Sequence, residues 1–127
     1  MIRIAILEDN PSCSLTLKMM LETGGYEVVG AFFNIHDFLD KIDEKYFDVL
    51  LADVRLGFDN GIDFVLNLDR RIHSLKKVVF MTGTRGEELK RYQKAIKRID
   101  NAFLILKPFD YQTLVEALSL EENSNDK

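Results

Sequence analysis

This sequence predicts a doubly wound α/β domain: five parallel strands with helices on both faces. Two observations carry that expectation. Short, almost continuously apolar runs occur five times, and the stretches between them repeat their apolar residues at helical spacing. Continuous apolar runs suit parallel strands covered on both faces, and a strict strand–helix alternation requires right-handed crossovers. The chain of 127 residues is about one ordinary domain.

The first strand is Ile2–Leu7. Asn10 can then cap a helix and Pro11 suits its first position. Cys13, Leu17, Met20 and Leu21 share one face of that helix, which makes Cys13 a core filler, and Gly24-Gly25 ends it. Val28–Phe33 is the second strand. The second helix runs from about Ile35 to Glu44 and buries Phe38, Leu39 and Ile42. Val49–Ala52 is the third strand, and the third helix follows Gly61, aligning Val65, Leu68 and Ile72. Val78–Met81 is the fourth strand; Leu89, Tyr92, Ile96 and Ile99 align on the fourth helix. Ala102–Leu106 is the fifth strand. The last helix starts after Asp110 and aligns Tyr111, Leu114, Val115 and Leu118. The domain is expected to span residues 1–120, with 121–127 a polar, disordered tail.

Composition narrows the function. A hydrophobic fraction of 46% supports one sizeable core, and 17 basic against 21 acidic side chains leave a net charge of −4. A dedicated nucleic-acid binder would carry a basic excess. The single cysteine excludes an internal disulfide, and the apolar N-terminal run meets Glu8-Asp9 too soon to be a signal core or membrane span. A cytoplasmic protein that binds neither nucleic acid nor membrane directly is expected.

Ligands of such a sheet collect at the carboxyl ends of its strands. Glu8 and Asp9 follow the first strand, Asp53 the third, Thr82-Gly83 the fourth and Lys107-Pro108 the fifth. Each alone has an ordinary reading as a helix start, a turn or a strand exit. Their conjunction at one sheet edge does not. Clustered carboxylates repel, and a hard dication such as Mg²⁺, with Mn²⁺ as a substitute, relieves them. Lys107 supplies a compact positive charge and Thr82 a hydrogen-bond donor. The chemistry that fits is phosphoryl transfer to Asp53.

Leu7-Glu8-Asp9-Asn10-Pro11, Leu51-Ala52-Asp53 with Gly61 eight residues on, Met81-Thr82-Gly83 and Lys107-Pro108-Phe109 together resemble the response-regulator receiver family of two-component signalling, from Ile2 to about Leu120. The resemblance implies a flavodoxin-like sheet of order 2-1-3-4-5. It makes Asp53 the phosphoacceptor, with Thr82 and Lys107 contacting the phosphoryl group. Glu8, Asp9, Asp53 and the backbone carbonyl of Arg55 would hold the metal. The donor would be a sensor histidine kinase or phosphotransfer protein, the receiver would catalyse only its own phosphorylation and dephosphorylation, and a conformational switch would act on a downstream partner that the residues do not name. Arg55 and Thr84 stand where dephosphorylation is tuned. Three departures stand out. Gly57 occupies a position where proline is common, which predicts a looser loop. Leu104 replaces the switch aromatic three residues before the lysine. Phe103 is one step off, on the opposite strand face, and is expected to be core.

The fourth helix is basic through Arg85, Lys90, Arg91, Lys94, Lys97 and Arg98; the last helix and tail are acidic through Asp110, Glu116, Glu121 and Glu122. Two solvated faces are the plain account; a homodimer docking through helices four and five is the functional one. His36 and His73 lack metal-ligand spacing and are expected at the surface. Three rival classes are weighed. A flavin-binding module would need a Gly- or Ser/Thr-rich loop where Glu8-Asp9 stands. An aspartate phosphohydrolase would need an acid at position 55. An unphosphorylated receiver-like interaction module would not need the full set of acids, Thr82 and Lys107.

Overall fold

The computed structural model of the chain describes residues 1–42, 47–68 and 75–119. Its elements are β1 (Arg3–Leu7), α1 (Pro11–Thr23), β2 (Glu27–Phe32), α2 (Ile35–Ile42), β3 (Val49–Asp53), β4 (Arg55–Leu56), β5 (Asp59–Asn60), α3 (Gly61–Leu66), β6 (Lys77–Thr82), α4 (Gly86–Ile96), β7 (Ala102–Leu106) and α5 (Tyr111–Leu118). The main sheet is parallel throughout, in the order β2-β1-β3-β6-β7. Counting only its own strands, that is the expected 2-1-3-4-5.

Alternation along the central strands divides the core in two. Ala5, Leu7, Leu50, Ala52 and Phe80 point to one face, where α2 delivers Phe38. Phe38 meets Phe32, Phe47 and Phe64 edge to face at centroid distances of 5.4, 6.1 and 5.7 Å. Ile4, Ile6, Leu51, Val79 and Met81 point to the other face, under Leu17 and Leu21 of α1 and Leu114 and Leu118 of α5. With both faces covered, β1 and β3 are buried almost end to end, so the chemistry is left to the strand ends.

Asn10 caps α1 by accepting from the Cys13 N–H at 3.0 Å, with Pro11 at the first helical position. Asp110 caps α5 through the Thr113 N–H at 2.8 Å. That bond, given to the charged form, holds the Asp110 carboxyl below the usual range.

Several expectations need correction. Cys13 is exposed: Ser14, Leu17 and Leu21 turn toward the sheet, and Cys13 falls on the rim of that stripe. Tyr111 is 41% exposed and lies over Gly24, where an added Cβ would collide with its hydroxyl. Phe103 is not core; it is 39% exposed on edge strand β7, with the Lys77 ammonium 4.3 Å from its ring centroid. Asp53 and Thr82 lie inside β3 and β6 rather than after them. The segment after Asp53 is no loose loop: β4 and β5 form a small antiparallel hairpin pairing Arg55 with Asn60 and Leu56 with Asp59. Gly57, at φ +65°, supplies the left-handed residue its two-residue turn requires. α3 ends at Leu66, before Leu68. Glu44, Ile72, His73 and residues 121–127 lie outside the described residues. His36 is exposed, as expected, with Nε2 3.5 Å from the Asp40 carboxylate.

Candidate functional site

Backbone hydrogen bonds run past the strand ends and hold the site residues in register. The Glu8 N–H donates to the Phe32 carbonyl at 3.0 Å, Val54 to Met81 at 2.9 Å and Lys107 to Thr82 at 2.8 Å. Gly61 closes the hairpin by donating to the Val54 carbonyl, and a Cβ there would lie 2.4 Å from the Asp53 carbonyl oxygen. The glycine eight residues after Asp53 therefore lets the start of α3 press against the backbone of the acid.

The structure brings Glu8, Asp9, Asp53, Thr82 and Lys107 to one sheet edge. Lys107 Nζ donates to Asp53 Oδ2 at 2.8 Å and to Glu8 Oε1 at 2.9 Å. Glu8 is 1% exposed and Asp53 9%, while Asp9 is open to solvent. Burial pushes the Glu8 carboxyl up, and the charge on Asp53 adds to this; the Lys107 hydrogen bond only partly offsets them. Burial pulls the Lys107 ammonium down, but hydrogen bonds to Asp53 and Glu8 outweigh it and hold the group above the ordinary lysine range. Asp9 Oδ2 accepts from the Gly57 N–H at 2.9 Å, and Asp53 Oδ1 from the Arg55 N–H at 3.2 Å. A proline at position 57 could not make the first of these bonds.

Glu8, Asp9 and Asp53 each place one carboxylate oxygen within 4.8 Å of the others. One lysine against three acids leaves negative charge in excess. An all-oxygen donor set of that kind suits a hard divalent cation such as Mg²⁺.

Beside Asp53 opens a cavity of about 530 Å³, lined among others by Arg55, Thr82, Thr84, Glu88 and Lys107. Thr82 is buried, and its Oγ1 accepts from the Thr84 N–H at 3.1 Å, leaving its own proton to donate. Thr84 and Arg55, singled out in the sequence, are thus brought to the site. Phe103 and Leu104 are not. Leu104 packs against the core on the α4 side, and Phe103 points the other way.

Sequence reasoning missed three contributions. Gly57 acts through its N–H on Asp9. Arg85, counted only as a surface cation, donates to the carbonyls of Gly83, Thr84 and Lys107 and ties the loop after β6 to the end of β7. Glu88, on the first turn of α4, lies 3.8 Å from the Arg55 guanidinium and accepts from the Tyr92 hydroxyl at 2.9 Å. Only the i, i+4 spacing of Glu88 and Tyr92 was visible beforehand.

A family model described as the response regulator receiver domain matches residues 4–119. The chemotaxis protein CheY of Thermotoga maritima is 28% identical over 117 residues, covering 92% of this chain and 94% of that protein. The transcriptional regulatory protein ZraR of Salmonella typhimurium is 31% identical over 119 residues, 92% of this chain but 25% of its own length. The chain thus spans about a quarter of the first such regulators it matches. Among solved structures, the non-phosphorylated HemR receiver domain of Leptospira biflexa superposes with a TM-score of 0.74 at 26% identity, covering 97% of this chain and 98% of that one. A Burkholderia pseudomallei response regulator with a phosphorylated aspartic acid and a calcium ion reaches 0.76 at 24% identity, over 94% and 67%, a likeness of fold.

Proposed function

The chain belongs to the response regulator receiver domain family, and on that premise we propose that it takes a phosphoryl group onto Asp53 in a Mg²⁺-dependent reaction and acts as a conformational switch. The observation that carries this is the lysine bridge: one ammonium within 2.9 Å of both Glu8 and Asp53, at the edge of a three-carboxylate cluster.

In this reading Asp53 is the nucleophile. A carboxylate oxygen attacks phosphorus, the bond from phosphorus to the donor's leaving group breaks, and that group departs with its electron pair. Lys107 shifts from bridging two carboxylates to neutralising the phosphoryl oxygens, and Thr82 donates its hydroxyl proton to one of them. Glu8, Asp9, Asp53 and the Arg55 carbonyl would hold Mg²⁺, which when bound supplies charge neutralisation for the transferring group. Water later hydrolyses the acyl phosphate and restores the Asp53 carboxylate, so the chain catalyses only its own phosphorylation and dephosphorylation. The donor is a phosphohistidine on a sensor kinase or phosphotransfer protein, and the setting is cytoplasmic. Among the described residues no helix is long and apolar enough to cross a membrane.

The test is direct. Incubation with Mg²⁺ and acetyl phosphate should add one phosphoryl group by intact mass, and Asp53→Asn should abolish it. Labelling that survives Asp53→Asn, or no labelling from either acetyl phosphate or phosphoramidate, refutes the reading.

A further inference from the structure

Leu104 leaves this chain without an aromatic residue at the usual switch position, so another route must carry the state of Asp53 to α4. The structure offers one. Arg55 sits two residues from Asp53, and its backbone is tied there by its own N–H. Its side chain is 70% exposed and reaches Glu88 at 3.8 Å. The same Glu88 oxygen holds the hydroxyl of Tyr92, whose ring is buried in the α4-side core. Guanidinium and carboxylate face the same cavity as Asp53 and Lys107.

We propose that Arg55 is a charge-exchange latch: when Asp53 carries a phosphoryl group, the guanidinium leaves Glu88 for the phosphoryl oxygens, and the Glu88 carboxylate that holds the Tyr92 hydroxyl on α4 is left without its cationic partner. The proposal rests on the receiver reading above.

The physics favours the exchange. An exposed, loosely spaced Arg–Glu pair contributes little and is easily surrendered. A phosphoryl group brings nearly two negative charges and oxygens that a guanidinium can engage in pairs, against the single charge of Glu88. Because the backbone of Arg55 is fixed beside Asp53 and its side chain is not, the swap needs only rotamer changes. Glu88 lies on the first turn of α4, so its release acts on the start of that helix and, through Tyr92, on its buried face. By linkage, a residue that phosphorylation displaces must itself oppose the phosphoryl group.

The experiment uses Mg²⁺ and beryllofluoride as the phosphoryl mimic, read by nuclear magnetic resonance. In the unmodified chain the Thr82 and Lys107 amides and the Tyr92 ring resonances should all move. In Arg55→Gln the two amides should still move while Tyr92 stays fixed, and Arg55→Lys should restore part of its shift. Glu88→Gln should bind beryllofluoride about two- to fivefold more tightly, the competition removed being that of an exposed ion pair. A full Tyr92 shift in Arg55→Gln, or unchanged or weaker binding by Glu88→Gln, overturns the latch and leaves the receiver reading standing. Amides of Thr82 and Lys107 that never move overturn both.

Discussion

Asp9→Asn should stabilise the metal-free protein while removing its response to Mg²⁺. Asp9 presents an oxygen within 4.8 Å of oxygens on both Glu8 and Asp53. At an effective dielectric of about 20, each such pair repels by about 3.5 kcal/mol before screening. Lys107 bonds Glu8 and Asp53, whereas Asp9 accepts from the Gly57 N–H. Asparagine keeps that bond through its own oxygen and discards both repulsions. Because Asp9 is exposed, solvent screening removes most of the gross figure, and a net gain of about 1–2 kcal/mol remains. For a domain of this size that raises Tm by roughly 3–8 °C. The assay is thermal or urea unfolding in EDTA at low ionic strength, repeated with excess Mg²⁺. The order should invert: the unmodified chain gains about 2.7 kcal/mol at a hundredfold excess over Kd, and the variant gains little. Added salt should shrink the difference in EDTA. Loss of stability in Asp9→Asn without metal, or equal stabilisation of both proteins by Mg²⁺, would refute the reasoning.

Three other outcomes follow from the same geometry. Glu8, raised above 4.5 chiefly by burial, contributes stability that is fully present below pH 4.5 and lost as the pH rises through its folded value, so Glu8→Gln should flatten that decline in EDTA urea titrations. Lys107, whose carboxylate partners more than offset its burial, contributes stability present below pH 10.5 and lost above its folded value; Lys107→Met should lose about 2–4 kcal/mol at neutral pH, and the gap to the unmodified chain should narrow in alkali. Gly61→Ala must displace backbone, since its Cβ would fall 2.4 Å from the Asp53 carbonyl, and should cost about 2–3 kcal/mol by urea unfolding and slow acetyl phosphate labelling as well. Equal stability and labelling in Gly61→Ala would show that this close approach is not needed.

The order of elements was legible because parallel strands buried on two faces must be apolar at nearly every position. The site was legible for a related reason. Side chains at strand ends escape that requirement, so polar residues there stand out against their neighbours. Glu8, Asp9, Asp53, Thr82 and Lys107 were all found in this way, and the structure gathers them on one edge. Boundaries slipped by a residue because hydrogen bonding continues past the apolar run: Asp53 still pairs with Met81 and Thr82 with Leu106. Cys13 and Tyr111 misled because helical spacing defines a stripe but not its rim, where a neighbouring Ser14 or a bare Gly24 decides which side chain is covered. Phe103 misled because β7 is an edge strand, where a side chain has a neighbouring strand on one side only.

What remained out of sight was contact between residues whose separation has no period. Gly57 shows the distinction best. Read against proline, a glycine predicts slack; in the fold it does the opposite. Its positive φ closes the β4–β5 turn, and its N–H fixes Asp9 across 48 residues of sequence. Glycine and proline therefore solve one problem here by different means: proline would restrict the chain through its ring, and glycine restricts it through a turn and a donated hydrogen bond. Gly57→Pro separates the two. The ring cannot reach φ +65° and has no proton to give Asp9, so the change should cost about 2–3 kcal/mol by urea unfolding, even though it restores the commoner residue. If Gly57→Pro were neutral or stabilising, the hairpin and its bond to Asp9 would not be what holds this segment, and the loose-loop expectation would return.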